Sequence, residues 1–371
     1  MCERLSQGEH RGAGRGRFSG SSVALVEPLD PFGYVPVYGV GQLVTRRPEQ
    51  AEAQARHGPI IRRRVASTIP SGRQFVLELG NQRVTVTEVG AGLRTFTVSG
   101  EAVLDGYGER DMCDVCRGAL LLPWPNRIED GRYQFDGRLH QLALTEPSRQ
   151  NAIHGLTRWL TWTVVQLDTE RVELALALHP QEGYPFALAL AVEYRLAGDG
   201  LTVRTTGTNV GDRPLPYGTG HHPYLTLGGL IDQARLRLPA LMRLEANERL
   251  IPTGRALPVK DTEYDFLELR AIGSLQMDTT FATLVPGADG RIRSLLQSGD
   301  GHRELTLWME PPYSHLMVFT GDAIPDPRRR RQSIAIEPMT CAPNAYRSGD
   351  GLRRLEPGES LSATWGIEVR L

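Results

Sequence analysis

The chain has 371 residues, 42 basic and 43 acidic, and a formal net charge of -1. So even a balance gives no electrostatic footprint for nucleic acid and no acidic tail. No run of about 18 apolar residues occurs and the charged N-terminus has no apolar signal-peptide core, so a cytoplasmic protein with no membrane partner is expected.

Hydrophobic residues make up 40% of the chain, ample for a core, while 40 glycines and 25 prolines indicate many turns. Lys260 is the only lysine, a skew that reads as codon bias before any need for guanidinium chemistry. The four cysteines, Cys2, Cys113, Cys116 and Cys341, form no disulfide framework. Cys113 and Cys116 lack the second half of a zinc site and the βαβ context of a redox motif, so free thiols in a reducing compartment are expected.

In chain order, residues 1–67 come first, with arginine clusters at 46–47 and 62–64, a Gly/Arg run at 12–17, and no sustained period of 2 or 3.6. Such a segment buries too little apolar area to offset its chain entropy. It reads as a flexible, low-complexity Arg/Gly-rich extension without a catalytic role. A docking arm or an upstream misplaced start would look the same.

From about residue 68 the texture becomes period-2. Alternating, β-branched segments at 74–78, 84–89, 94–98, 172–178, 186–196, 201–206, 234–238, 304–309, 314–320, 333–336 and 360–369 predict strands, separated by breakers such as Ala-Gly-Asp-Gly at 197–200. Amphipathic helices are nearly absent. So many short antiparallel strands must close their edges, and no internal repeat argues for a propeller. The expected fold is all-β, a large antiparallel sandwich forming one domain over 68–371.

Within it, five polar places could carry chemistry. Pro-Trp-Pro-Asn-Arg-Ile at 123–128 is either a rigid surface loop whose Arg127 makes a salt bridge or a shelf where Asn126 and Arg127 bind hydroxyls. His154, before Gly155, is either a satisfied turn histidine or a substrate contact. The aromatics Trp159, Trp162 and Tyr184 read mainly as core. His221 and His222 must point to opposite faces of an extended segment, so only one enters a given pocket, and Pro223 holds His222 extended. Asp278 is a turn cap or a site carboxylate. Glu337 follows the apolar strand 334–336 and precedes Pro338, a costly place for a carboxylate unless it is paired or functional. The arginine run 328–331 reads as a solvated loop, with phosphate binding the sharper alternative.

Six segments together resemble the aldose 1-epimerase (galactose mutarotase) family, in that family's order: 123–128, 131–137, 151–155, 220–225, 277–281 and 336–340. Residues 1–67 have no counterpart. The resemblance implies a β-supersandwich and interconversion of the α and β anomers of a free aldose, with no cofactor and no metal. It makes Glu337 the catalytic base and His222 the catalytic acid, with His154, Arg127 and Asp278 in contact with substrate. Some branches carry Asn-His before an aromatic where this chain has His221-His222-Pro223-Tyr224.

In that reading an ionised Glu337 takes the proton of the C1 hydroxyl while a protonated His222 gives one to the ring oxygen. A free imidazole with pKa about 6.5 is only about a quarter protonated at pH 7, so a neighbouring carboxylate is expected to raise it. The partner is a small sugar, the assembly a monomer or weak homodimer. Rival readings are a hexose-6-phosphate 1-epimerase, a non-catalytic sugar-binding module, and a lyase or hydrolase with a second carboxylate.

Overall fold

The computed structural model describes residues 69–370. The expectation for 1–67 therefore lies outside the described residues.

Strands dominate, and the only α-helix among the described residues is the single turn Ala345–Ser348. A nine-stranded sheet runs, edge to edge, through Thr163–Leu167, Arg171–Leu178, Leu188–Ala197, Gly200–Asn209, Ser360–Arg370, Glu304–Met309, Ile292–Gln297, Arg235–Arg237 and Arg270–Ala271. A second sheet runs through Pro252–Pro258, Ala240–Ala246, Asp278–Leu284, His315–Phe319, Ile334–Met339, Gly220–His221 and Leu120–Leu121, with Tyr224–Leu225 also on Ile334–Met339. A four-stranded meander covers Gln74–Ala102. Every pairing between these strands is antiparallel, and no described helix is long and apolar enough to cross a membrane.

One continuous apolar cluster takes Leu190, Val192 and Val203 from the first large sheet and Phe281, Leu316, Val318, Ile334 and Ile336 from the second. The strand period of 2 then dictates what the second sheet shows on its other face. Since Ile334 and Ile336 point into the core, Ala335 and Glu337 point away. Since Leu316 and Val318 point in, Met317 and Phe319 point away.

Glu337 is not at a strand end. The strand continues through Pro338 to Met339, and all six of its residues are buried. Pro338 forfeits one ladder donor, but Thr340 N–H donates to the Thr219 carbonyl at 2.9 Å and Gly220 pairs with Met339, so the strand is held beyond it.

Candidate active site

Register assembles the floor of the site. Glu337 pairs with Met317, and Met317 with Thr280; Phe319 pairs with both Ala335 and Asp278. Paired residues share a face, so Glu337, Met317, Phe319, Thr280 and Asp278 form one patch on the side away from the core. Asp278 opens the strand Asp278–Leu284 and, having no hydrogen bond to its own backbone, is a cleft carboxylate rather than a turn cap.

His222 arrives from the neighbouring extended segment. Its Nε2 lies 3.3 Å from Glu337 Oε1, and both side chains are buried. The two adjacent histidines diverge as expected: His221 turns inward, where its Nε2 sits 2.8 Å from Thr205 Oγ1 and its ring tilts on Trp365 at 5.1 Å. The His222 ring is stacked at 4.9 Å and 17° on Tyr224 and meets His154 edge-on at 5.4 Å. Tyr224, held by its hydroxyl donating to the Val115 carbonyl at 3.1 Å, braces the imidazole. Its position two residues after His222 puts it on the same face, a signal already in the sequence.

The segment 119–128 is buried throughout, which overturns the surface-loop reading of 123–128. Its Arg127 does make the salt bridge, a two-point fork to Glu146 at 2.8 and 3.0 Å, and it also lines the cleft. The two readings of Arg127 are thus compatible: Glu146 fixes the fork, leaving the other edge of the guanidinium for a ligand. Asn126 and His154 both adopt left-handed backbone, at φ 54 and φ 60. Asn126 N–H donates to His154 Nδ1 at 3.2 Å, so the proton of the neutral His154 ring must sit on Nε2. Turn histidine and site histidine are one residue here.

All six expected residues, Glu337, His222, Arg127, His154, Asp278 and Asn126, line a single cleft of about 340 Å³. Sequence reasoning missed Cys116, Glu146, Arg149, Arg158, Met317 and Phe319 on its wall. Arg158 donates to Cys116 Sγ at 2.9 Å, and Arg149 to Glu146 Oε1 at 3.1 Å. No motif announces these residues; they reach the cleft through pairings distant in the chain.

Burial sets the proton equilibria. It pushes His222 down to about 3, and the cations Arg158, Arg117 and Arg127 act in the same direction. It also pushes Glu337 well above the usual carboxylate range, with Asp278 adding to the rise and Arg127 opposing it. The expectation that a carboxylate would raise His222 is therefore corrected: removing the pair from water outweighs that attraction. Burial thus disfavours the charged form of each partner. Burial likewise drops His154 well below its usual value and raises Asp278, the latter against Arg127 and Arg149. Glu337 Oε2 and His222 Nδ1 have no protein partner although both are buried. Orphaned atoms of this kind are costly unless something completes them.

The arginine run lies elsewhere. Arg328 pairs with Asp326, Arg329 with Asp105, and Arg331 with Asp232 and Asp322, while Arg330 donates to the Ile324 carbonyl. None lines the cleft, so the cluster offers no phosphate pocket there. Trp162 and Tyr184 are core residues as read, whereas Trp159 is half exposed. Cys113, Cys116 and Cys341 are free thiols, and the described residues hold no cluster of three potential metal ligands.

Residues 73–368 match the family described as aldose 1-epimerase. The chain is 34% identical over 293 residues to the uncharacterized protein YihR of Escherichia coli K12, covering 78% of this chain and 91% of that one. It is 27% identical over 240 residues to the galactose mutarotase of Homo sapiens, covering 59% of this chain and 68% of that one. Among solved structures, a GalM/aldose epimerase homologue from C. elegans shares the fold, with TM-score 0.70 at 19% identity over 80% of this chain and 99% of that chain. With the family's fold, its motifs in order and a match over most of the sequence, this chain belongs to the aldose 1-epimerase family.

Proposed function

We propose that the protein interconverts the α and β anomers of a free aldohexose by acid/base-catalysed opening and closing of the ring. The observation that carries this reading is the 3.3 Å contact between His222 Nε2 and Glu337 Oε1, sealed in a cleft with an unpartnered carboxylate oxygen beside it. Mutarotation needs one proton taken from the C1 hydroxyl and one given to the ring oxygen, then the reverse on the other face. Two coupled groups suffice.

The opposed shifts, Glu337 upward and His222 downward, give a bound hydroxyl leverage over the pair. A sugar hydroxyl donating to Glu337 Oε2 stabilises the carboxylate, which in turn favours a protonated His222. That favours the base and the acid together. Glu337 then takes the O1 proton as His222 protonates O5. The C1–O5 bond breaks, the open aldehyde turns about C1–C2, and the pair reverses its roles. The His154 Nε2–H, Arg127, Asn126 and Asp278 are arranged to hold the remaining hydroxyls.

The test is polarimetry of freshly dissolved α-D-glucose and α-D-galactose, with glucose 6-phosphate alongside. Accelerated equilibration of a free aldose is expected. Faster turnover of the phosphate ester would favour the phosphorylated alternative, and sugar binding without any acceleration would leave only a binding module.

A further inference from the structure

An imidazole that carries protons is normally aimed by a hydrogen bond at its second ring nitrogen. His222 has none: its Nδ1 meets no partner among the described residues. Its backbone is clamped, since Gly118 N–H donates to the His222 carbonyl at 2.9 Å and His222 N–H donates to the Ala119 carbonyl at 3.1 Å. That fixes the Cα and leaves the aim of the ring to packing. The ring stacked on it is Tyr224, at 4.9 Å and 17°.

Tyr224 is held in turn by Arg117. The guanidinium carbon lies 5.3 Å from the centre of the Tyr224 ring, and the Arg117 side chain is 1% exposed. Burial works against its charge, but Asp114 and Asp105 outweigh that effect. Arg117 Nε donates to Asp105 Oδ2 at 3.3 Å and Nη1 donates to Asp114, while Nη2 is buried without a partner. Asp105 ties the assembly together. Its N–H donates to the Tyr224 carbonyl at 2.9 Å, and its carboxylate accepts from Ser333 Oγ at 2.9 Å and from Arg329. Ser333 directly precedes the strand Ile334–Met339 that carries Glu337, and Arg329 belongs to the arginine run. A sealed cation with an orphaned donor costs stability, and a methionine of similar length would pack there without that cost. The charge needs another reason.

We propose that Arg117 is a positioning residue, holding the Tyr224 ring so that the His222 imidazole stays aimed at Glu337. The proposal rests on the anomer-interconverting reading above. Arg117 does not line the cleft, so it acts through Tyr224 and not on the sugar. A cation over an aromatic face is attracted by the ring quadrupole, and the attraction strengthens out of water. Without it the phenol and the imidazole both gain freedom. A misaimed Nε2 then costs turnover, whereas the hydroxyl contacts that bind substrate are untouched.

The experiment uses Arg117→Met on the full chain, alone and combined with Tyr224→Leu. Anomer exchange of glucose or galactose is followed by NMR, and the melting temperature reports folding. Arg117→Met is expected to lower kcat at least about tenfold while KM stays within about twofold. Tyr224→Leu should itself cost about tenfold, and in that background, with the held ring gone, Arg117→Met should cost less than about twofold more. Equal loss in both backgrounds, or an unchanged kcat in Arg117→Met, overturns the proposal. The ring protons of isotope-labelled His222, assigned by their loss in His222→Asn, give a readout independent of turnover. Their ring-current shift from Tyr224, absent in Tyr224→Leu, should diminish in Arg117→Met, and an unchanged shift refutes the positioning role. Should the wild type turn over no aldose, the reading of function fails and the ring-current shift alone decides the proposal. If Arg117→Met does not fold, Asp105→Asn, which keeps the shape and weakens the hold on Arg117, is judged by the same split between kcat and KM and the same shift.

Discussion

Replacing Glu337 with Gln separates the cost of the site from its use. The substitution keeps the shape of a side chain that is 2% exposed, and its amide can still meet His222 Nε2 across the 3.3 Å gap. It removes the proposed base for the O1 proton. A positioned proton-transfer group contributes on the order of 10²–10⁴ in rate, or about 3–5 kcal/mol of barrier, so kcat should fall by at least ~10².

The same change should stabilise the fold. Because burial raises Glu337 above its ordinary 4.5, the native state keeps a proton that the unfolded chain releases. That stability is fully present below the unfolded value and is lost as pH rises toward the raised native one. Gln has no proton to lose, so the melting temperature of Glu337→Gln minus that of the wild type should be near zero at about pH 4 and grow toward pH 8. The assays are polarimetry with α-D-glucose and thermal melting across that range. A variant with kcat within about tenfold of wild type, or one whose stability advantage shrinks with rising pH, refutes the reasoning.

Three further outcomes follow from the geometry. His222→Asn should lower kcat at least ~10² with the circular-dichroism spectrum unchanged, since the ring, braced by Tyr224, is the proposed proton carrier rather than a core support. Arg127→Lys keeps the charge but loses the fork that reaches Glu146 at two points, and should raise KM about tenfold with a smaller change in kcat. His221, driven by burial down to about 3, is neutral in the fold, and the unfolded chain takes up its proton first. Its contribution is intact above the unfolded value of about 6.5 and is lost as pH falls toward 3, so the melting temperature should drop across that window, less steeply in His221→Gln.

Much of the sandwich was legible because half-buried strands write their burial into the sequence as alternation. The alternating segments at 172–178 and 201–206 fall within the strands Arg171–Leu178 and Gly200–Asn209. The segment at 304–309 coincides with its strand Glu304–Met309. The cover of the site was not legible in this way. Residues 119–128 are buried on every side and interrupted by two prolines and a left-handed Asn126, so no period survives there. The candidate residues announced themselves by type and local context, a carboxylate in an apolar run and a histidine before a proline. Their meeting did not, because Glu337 and Asp278 share a face only through a strand register set by the whole sheet. The protonation of His222 was misjudged for a related reason. Sequence shows a neighbouring carboxylate but not the depth at which both groups are buried, and depth decides the sign.

The central claim is that the buried His222–Glu337 pair opens and closes the ring of a free aldose. NMR saturation transfer between the C1 signals of the α and β anomers tests it most directly, in a panel of free and phosphorylated aldoses with and without the protein. Transfer for at least one free aldohexose, abolished in Glu337→Gln, is the predicted result. An exchange rate no faster than buffer for every free sugar, or full transfer in Glu337→Gln, would contradict it.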